Sequence, residues 1–309
     1  MGPEDLKQAF KSHASTVELL SCLKAFPPKK ISLTGLKGSS IAFIANSIFR
    51  EIGGTHLFIV PEREQAAYLL NDLENVIGKE RVLFFPASWK KPYDPEAIEN
   101  ANILYRSEAL NTIEKGSNNL IIVTYPQALV EKVVTRDHLA SNTFKLHKGE
   151  KTDSEFLIDF LTEYEFERVD FVTKPGEFSI RGGIIDVFSF SNDLPYRIEF
   201  FDNEIESIRS FEIESQLSIA YFEYIHIVPN IQNKLLRESR QSFFEFIPPS
   251  TVIWSHGESL NIDMLGKYYE QVCAAWEKNK NSLIRQLPPE ESYISSELMR
   301  ASLGTFRRV

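Results

Sequence analysis

A segment near the N-terminus has the shape of a phosphate-binding loop without the groups that would act on a phosphate. An apolar run at residues 31–33 precedes it, and a helical pattern over residues 43–52 follows it. The nucleotide-binding template requires Gly, four residues of any type, Gly, Lys and then Ser or Thr, placed between a strand and a helix. The residues of the candidate loop are Gly35, Gly38, Ser40, Ile41 and Ala42.

The chemistry of phosphoryl transfer is missing from this loop. In the template the lysine places an ammonium group on the β- and γ-phosphates, and the hydroxyl after it holds Mg²⁺. Ile41 and Ala42 occupy these two positions and can do neither. Backbone N–H groups at the start of the helix can still attract an anion. The pattern predicts a nucleotide-binding fold that does not hydrolyse nucleotide, with a chance match still open because glycine-rich turns between strands and helices are common.

The composition is that of an ordinary globular protein with more than one domain. The 309 residues are 43% hydrophobic and 25% charged, and this length predicts two or three compact units. Two cysteines, Cys22 and Cys273, indicate reduced thiols in a cytoplasmic protein without a disulfide framework. No two histidines have metal-ligand spacing, so we expect no metal site. We also expect no membrane partner, because the apolar runs are short and the first residues carry no cationic signal.

The negative charge is concentrated in the middle of the chain. Residues 141–218 contain 8 Lys and Arg against 17 Asp and Glu, a net charge of −9, whereas the remaining residues contain 26 of each sign. A segment with this charge repels the backbone of a nucleic acid. We therefore expect no direct DNA binding.

The first part of the chain alternates strand and helix patterns. Two amphipathic helices are predicted over residues 4–24, and a further helix contains Glu64 and Leu73. Continuous apolar runs predict strands at residues 31–33, 56–60, 81–86 and 120–124. Continuous apolar strands separated by helices are typical of a parallel sheet that is covered on both faces.

The pattern changes to a period of two after about residue 142. The predicted strands of this segment are residues 168–172, 177–181, 184–188, 196–201 and 204–209, with turns at Gly182-Gly183 and Asp202-Asn203. The last segment has predicted strands at 225–229 and 251–254, a predicted helix at 234–246, and a helix that contains Tyr268 and Trp276. The predicted domains are residues 1–140, the first half of an α/β domain, residues 141–218, a β-rich insert, and residues 219–309, the second half of the α/β domain.

The central segment contains a long and specific motif. Its residues are Arg168-Val169-Asp170-Phe171, Gly176-Glu177-Phe178, Arg181-Gly182-Gly183-Ile184-Ile185-Asp186-Val187-Phe188 and Tyr196-Arg197-Ile198-Glu199-Phe200-Phe201. The motif resembles the second domain of the excision-repair protein UvrB and, more closely, its counterpart in the family of bacterial transcription-repair coupling factors (Mfd). The resemblance extends over roughly residues 16–289. It implies a degenerate P-loop NTPase or helicase-like parallel sheet that is interrupted by a small β-rich insert domain.

The resemblance supplies a second position at which the nucleotide chemistry can be checked. In UvrB an Asp-Glu pair follows an apolar strand, where it coordinates Mg²⁺ and positions the attacking water. The corresponding residues here are Ser255 and His256. Two separate positions have lost the same chemistry, which implies a chain that is not an enzyme and needs no cofactor. The full-length proteins of the family are ATP-dependent DNA translocases.

The resemblance also implies a partner, because in both families the second domain docks onto UvrA. The residues at the positions of UvrA-contacting arginines are Arg168, Arg181 and Arg197. A further UvrB arginine is replaced here by Ser179, and Phe178 and Glu177 complete the expected patch. Arginine suits this role because its planar guanidinium pairs with a carboxylate through two hydrogen bonds. Without the resemblance, arginine on an acidic sheet is usually a solvated partner of neighbouring glutamates.

The resemblance also implies that this chain has lost damage verification, which is a property of UvrB. UvrB has a long hairpin that holds damaged DNA. In this chain residues 93–97, Tyr-Asp-Pro-Glu-Ala, pass directly into a predicted helix that ends near Gly116. The segment also lacks the interleaved aromatic and basic residues that single-strand binding uses.

These expectations combine into one function, the recruitment of UvrA to lesions at which RNA polymerase has stalled, as a step of nucleotide excision repair. In the intact family protein other domains of the parent chain mask the docking surface. Two alternatives stay open, a module that binds or senses a nucleotide through backbone N–H groups and a DNA-binding accessory unit. Ile41 and Ser255 are evidence against the first, and the charge balance is evidence against the second.

Overall fold

A computed structural model gives the fold of the chain and describes residues 3–25, 30–94, 100–116, 119–135, 144–190, 192, 194–227, 240–280 and 287–309. The chain divides into two compact units. The first unit comprises Met1–Asn102, Ala109–Val133 and Arg240–Val309, and the second comprises Ile103–Glu108 and Val134–Ser239. The divisions fall after residues 102, 108, 133 and 239, and the domain boundaries at residues 140 and 218 stay predictions from the sequence.

Helices dominate the first unit and strands dominate the second. The helices are α1 (Pro3–Ser12), α2 (Ala14–Lys24), α3 (Ser40–Ile52), α4 (Arg63–Ile77), α5 (Asn100–Glu114), α6 (Pro126–Leu129), α7 (Ser154–Glu163), α8 (Phe243–Phe246), α9 (Glu258–Asn279), α10 (Pro289–Ser292) and α11 (Ser296–Leu303). The strands are β1 (Gly54–Ile59), β2 (Val82–Phe85), β3 (Asn119–Thr124), β4 (Val133–Val134), β5 (Phe144–His147), β6 (Glu167–Arg168), β7 (Glu177–Arg181), β8 (Ile184–Val187), β9 (Tyr196–Phe201), β10 (Glu204–Phe211), β11 (Ser218–Tyr221), β12 (Tyr224–Ile227), β13 (Arg240–Gln241), β14 (Val252–Ser255) and β15 (Arg307–Arg308).

The first unit is built on a five-stranded parallel sheet in the order β15-β14-β1-β3-β2. Its central strands are apolar on both faces, since consecutive residues such as Ile121 and Ile122 have no exposed surface. This is the pattern of a sheet covered by helices on both sides, and the predicted parallel sheet is confirmed. The chain runs from β1 outward to β2 and β3 and later adds β14 on the other side of β1. Open α/β sheets bind their ligands at the carboxyl ends of strands beside such a switch point.

A histidine is buried in the middle of this sheet. His56 on β1 has no exposed surface, and its Nε2 lies 3.2 Å from the carbonyl oxygen of Gly53. Its Nδ1 accepts a hydrogen bond of 3.1 Å from Nε1 of Trp254. The ring is therefore neutral and carries its proton on Nε2, because Nδ1 must be free to accept. Burial lowers the pKa of His56 to about 4.

The strand predicted at residues 31–33 is not formed. Lys30 makes a single parallel bridge to Arg308 of β15, and the Ile31 N–H donates to the Arg308 carbonyl oxygen over 2.8 Å. Ser32 is exposed, and the apolar residues beside it are only half-buried. The segment lies beyond the edge strand of the sheet, where one backbone hydrogen bond replaces a full ladder.

The second unit is built on a six-stranded sheet in the order β11-β10-β9-β8-β7-β6. The strands pair antiparallel except for β6 and β7, which are parallel. Ile185, Ile198 and Ile208 are aligned across three strands, are at most 1% exposed and form the inner face. The period of two in the sequence therefore predicted this antiparallel sheet correctly, including the full extents of β7 and β9. Asp202 has a φ of 56° in the turn between β9 and β10, a conformation that Asp tolerates better than most residues.

Three further predicted elements differ from the structure. The strand predicted at 168–172 is reduced to Glu167–Arg168. The strand predicted at 225–229 begins as β12 but pairs antiparallel with β5, so the parallel sheet resumes only at β14. Residues 228–229, and residues 234–239 of the predicted helix 234–246, lie outside the described part of the chain. The rest of that predicted helix contains β13 and the short α8, which begins at the capping box of Ser242 and Glu245.

Candidate functional site

A crevice of about 720 Å³ lies at the carboxyl ends of β1 and β14 in the first unit. The residues of the predicted degenerate nucleotide site that line it are Gly35, Gly38 and Ile41 from the loop, with Ser255 and His256 after β14. The fold therefore brings two segments that are far apart in sequence to one crevice. Its position at the switch point of the sheet is where an open α/β fold is expected to bind a ligand.

The loop uses three of its backbone donors within itself. The N–H of Lys37 donates to Oγ of Ser40 over 3.0 Å, and the N–H of Ser40 donates back to the Lys37 carbonyl oxygen over 3.3 Å. The N–H of Ala42, which has no exposed surface, donates to the carbonyl oxygen of Ser39 over 3.0 Å. A phosphate cradle requires such N–H groups to point together at the anion. In this loop the N–H groups of Lys37, Ser40 and Ala42 are already engaged.

Glu258, at the start of α9, pairs with the basic side chains near the crevice. Nζ of Lys30 lies 2.9 Å from Oε1 of Glu258, and Nη1 of Arg308 lies 3.2 Å from the same oxygen. Oγ of Ser255 accepts a hydrogen bond of 3.0 Å from Nδ2 of Asn261. Across the residues that the structure describes, no group of three or more His, Cys, Asp or Glu is placed to hold a metal ion. The crevice has the position of a nucleotide site without the charge arrangement of phosphoryl transfer.

One face of the sheet in the second unit carries a row of polar side chains across four strands. Ser179 of β7 pairs with Asp186 of β8, which pairs with Arg197 of β9, which pairs with Arg209 of β10. Paired residues point to the same side of a sheet and side chains alternate along a strand, so Arg181 lies on this side too. We call the surface formed by these five residues the arginine face.

Asp186 lies at the centre of the arginine face and pairs with two arginines at once. Its side chain is 1% exposed. Oδ1 accepts from Nε of Arg197 over 2.7 Å, and Oδ2 accepts from Nη2 of Arg197 over 2.9 Å, which is the two-bond geometry of a strong guanidinium–carboxylate pair. Oδ2 also accepts a hydrogen bond from Nη2 of Arg181. Two guanidinium groups share one carboxylate, so this cluster carries an excess of positive charge.

Arg197 is held from several directions. Its Nη2 also donates to Oε1 of Gln216 over 2.9 Å, and its guanidinium carbon lies 4.2 Å from the ring centroid of Phe211. The hydrogen bonds to Asp186 raise the pKa of Arg197 above its usual value. Because the side chain is only 13% exposed, the structure assigns Arg197 mainly to the support of the arginine face.

Arg181 is the accessible member of the cluster. Its side chain is 37% exposed, and its guanidinium carbon lies 5.3 Å from the ring centroid of Phe171. Phe171 is itself 61% exposed. Arg181 therefore lies between a buried carboxylate and an exposed aromatic ring, with part of its surface open to solvent.

Arg168 does not lie on the arginine face. It is aligned in parallel register with Phe178, so its side chain is directed to the side of Phe178 rather than to the side of Arg181. Arg168 is exposed at the edge of the sheet. The structure brings Arg181 and Arg197 together and leaves Arg168 apart from them.

Two other predicted members of the exposed patch are buried, which corrects that expectation. Phe178 is 2% exposed and belongs to the core. Glu177 is 5% exposed, and its Oε2 accepts from the N–H groups of Thr173 and Lys174 over 2.7 and 3.0 Å. Burial alone would raise the pKa of Glu177, but these hydrogen bonds outweigh it and lower the pKa. Phe178 thus packs the sheet, and Glu177 holds the turn before β7.

Comparison with known proteins shows that part of the second unit matches a known domain family. Residues 144–232 match the family model of the UvrB interaction domain. The chain is 32% identical over 203 residues to the transcription-repair-coupling factor of Bacillus subtilis (strain 168), which covers 65% of this chain and 17% of that protein. We call the chain the module: it contains a segment that matches the UvrB interaction domain and is similar over 65% of its length to a transcription-repair-coupling factor.

Further relatives of the module carry the same name. The transcription-repair-coupling factor of Escherichia coli (strain K12) is 27% identical over 195 residues, 63% of this chain and 17% of that protein. That of Myxococcus xanthus is 28% identical over 218 residues, 69% of this chain and 18% of that protein. The module therefore spans less than a fifth of the length of these relatives. The arginine face lies within the segment that matches the UvrB interaction domain.

The sequence reasoning missed three residues that lie on or beside the arginine face. Asp186 is a lone carboxylate between apolar neighbours in β8, a signal that a buried cation must accompany it. Phe201 is 73% exposed and follows Arg197 at an even spacing in β9, so the alternation could have placed it outward. Phe171 gave no such signal. The sequence predicted a strand over residues 168–172, but the structure forms only Glu167–Arg168, so strand alternation does not tell which way Phe171 points. Among the described helices of the module, none is long and apolar enough to cross a membrane.

Proposed function

We propose that the module docks onto UvrA through the arginine face and so recruits UvrA to lesions at which RNA polymerase has stalled. The observation that carries the proposal is the exposed guanidinium of Arg181, held by Asp186 on a surface of the UvrB interaction domain. Arg168, at the edge of the same sheet, is a secondary candidate for the contact. The partner itself is inferred from the resemblance to UvrB and its relatives.

The geometry suits a docking site because Arg181 is ordered before the partner arrives. An arginine whose side chain is already fixed loses less conformational entropy on binding than a free one. Arginine and aromatic residues are also enriched among the few residues that carry most of the binding free energy of an interface. The excess positive charge of the cluster favours a carboxylate of the partner.

The first unit supports a non-enzymatic role in this proposal. Its crevice presents Ile41 and Ser255 where a nucleotide site would present lysine and aspartate, and three N–H groups of its loop donate to other atoms of the loop. We infer that this unit positions the UvrB interaction domain within a longer parent protein rather than turning over ATP. Direct DNA binding is not part of the proposal, since residues 141–218 carry a net charge of −9. In the parent protein, other domains mask the arginine face until UvrA is needed.

Competition with UvrB for UvrA tests this function. UvrA is bound to labelled UvrB, and displacement is measured as the native chain, Arg181→Ala or Arg81→Ala is added. Arg81 is an exposed arginine of the first unit with a side chain 53% accessible, so it is a matched control. The proposal predicts displacement by the native chain and by Arg81→Ala, and at least about 30-fold weaker displacement by Arg181→Ala, as for an interface hot spot. Failure of the native chain to displace UvrB at any concentration would contradict it.

A further inference from the structure

Phe171 is an exposed aromatic ring beside the arginine face. It is 61% exposed, whereas the next residue, Val172, is 1% exposed and fixes the segment between β6 and β7 to the core. The ring is therefore held at the surface by its neighbour. Single exposed apolar side chains are common on soluble proteins, so exposure alone does not make Phe171 a binding residue.

The contact with Arg181 distinguishes Phe171 from other exposed phenylalanines. The guanidinium carbon of Arg181 lies 5.3 Å from the ring centroid, within the range of a cation–π interaction. Phe156 of α7 has a similar exposure of 63% but packs against Phe144 of β5, with 5.5 Å between ring centroids. Phe156 contacts another apolar ring, and Phe171 contacts a charged group with free hydrogen-bond donors.

Asp186 restricts the position of Arg181 over this ring. Its carboxylate binds Nη2 of Arg181 and is itself fixed by two hydrogen bonds from Arg197. Since Arg197 is held in turn by Gln216, the carboxylate cannot swing towards solvent without breaking the cluster. The guanidinium of Arg181 has one nitrogen bound and one side against Phe171, which leaves its remaining N–H groups for a ligand.

We propose that Phe171 and Arg181 form one binding subsite, with Asp186 as its positioning residue, for a partner segment that presents a carboxylate next to an apolar side chain. The carboxylate pairs with the remaining donors of Arg181, and the apolar side chain covers the ring of Phe171. The inference rests on the proposed function for the identity of the partner, UvrA, and adds the chemistry of the contact.

Charge favours this occupant over a nucleic acid. The cluster of Arg181, Arg197 and Asp186 has one more positive than negative group, which suits a single carboxylate. The surrounding residues 141–218 carry a net charge of −9, and a polyanionic backbone that runs across them is repelled at every phosphate. One carboxylate on a protein segment meets far less of this repulsion.

A calorimetric titration of UvrA with the native chain, Phe171→Ala and Phe156→Ala tests the subsite. Both substitutions remove an equally exposed ring, and thermal melting of each variant verifies that the chain is folded. The subsite predicts that Phe171→Ala weakens binding about tenfold or more, as removal of an anchor does. Phe156→Ala is expected to bind as tightly as the native chain.

The positioning role of Asp186 is tested in the same titration. Asp186→Asn keeps the shape of the side chain and removes its charge, so that Arg181 is no longer held over Phe171. The effect of Phe171→Ala is then expected to be smaller in the Asp186→Asn background than in the native chain. A loss of folding stability alone would leave the effect of Phe171→Ala unchanged in the two backgrounds, which would overturn the positioning role.

Three other results separate the subsite from the proposed function. Native affinity in Phe171→Ala, with binding lost in Arg181→Ala, would overturn the subsite and leave docking by Arg181 intact. No binding of UvrA by the folded native chain would contradict the proposed function itself. A salt-dependent DNA complex that Phe171→Ala abolishes would assign the ring to a nucleic acid and overturn the subsite.

Discussion

Mild acid should destabilise the first unit through a single histidine, His56. In the folded chain its pKa is about 4 because the ring is buried, and protonation would also place a hydrogen on Nδ1, where Trp254 already donates. In the unfolded chain the pKa returns to about 6.5. The unfolded state therefore binds more protons between these two values, and the stability conferred by neutral His56 is complete above pH 6.5 and lost as the pH falls towards 4.

The size of the effect follows from the two pKa values of His56. Linkage between protonation and folding gives a loss of about 2 kcal/mol in the free energy of unfolding at pH 5, and about 3 kcal/mol at pH 4. The effect is large beside the total stability of a typical domain, about 5–15 kcal/mol. It is also specific, because a variant without a titratable group at this position should not show it.

Urea unfolding at pH 7.5 and pH 5, followed by tryptophan fluorescence, measures this loss in the native chain and in His56→Asn. Asparagine keeps an acceptor near the position of Nδ1, so the hydrogen bond from Trp254 can be retained. The native chain is expected to lose about 2 kcal/mol more than the variant between the two pH values. Equal losses in both proteins would refute the reasoning, since the pH dependence would then arise elsewhere.

Three further predictions concern the cluster, a turn and the crevice. Asp186→Ala removes the carboxylate between two guanidinium groups and should lower the free energy of unfolding, measured in urea, by about 3 kcal/mol. The control Glu199→Gln weakens a more exposed pair with Arg209 and should lower it by less than about 1 kcal/mol. Gly183→Ala places a Cβ atom 2.7 Å from the carbonyl oxygen of Phe200, and calorimetry should show a lower melting temperature for an overpacking cost of about 1–3 kcal/mol. ATP with Mg²⁺ should leave the melting temperature of the native chain unchanged, because Ile41 replaces the lysine that would bind the phosphates. A ligand at 100 times its Kd adds about 2.7 kcal/mol to the free energy of unfolding. A clear rise in melting temperature would therefore contradict this prediction.

Much of the fold could be predicted because its signals are local. The alternation of apolar and polar residues gave β7 and β9 their full extents, and Asp202-Asn203 marked the turn after β9. Continuous apolar runs predicted β1, β3 and β14 of the parallel sheet. In each case residues within one segment determine whether a strand is half-buried or fully buried.

The features that could not be predicted depend on pairing between distant segments. Residues 31–33 are as apolar as a strand requires, but the structure gives them only an edge position next to β15. The pairing of β12 with β5 is likewise invisible in the sequence of either strand. The side on which Arg168 lies follows from the parallel alignment of the two-residue β6 with β7.

The arginine face shows the same division between local and distant information. The sequence alone showed the motif around Arg181, and it showed which arginines are candidates for contact with a partner. Which of them is accessible depends on Asp186, whose carboxylate holds Arg197 through two bonds and leaves Arg181 partly free. The burial of Phe178 follows from its alternate position in β7 and could have been predicted from the period of two.

Isothermal titration of UvrA with the native chain and with Arg181→Glu tests the central claim most directly. The claim is that the module docks onto UvrA through the accessible guanidinium of the arginine face. It predicts a saturable complex with the native chain and binding at least about 100-fold weaker with the variant, equivalent to about 2.7 kcal/mol, with thermal melting verifying that the variant is folded. Native affinity in the folded variant, or no complex with the native chain, would contradict the claim.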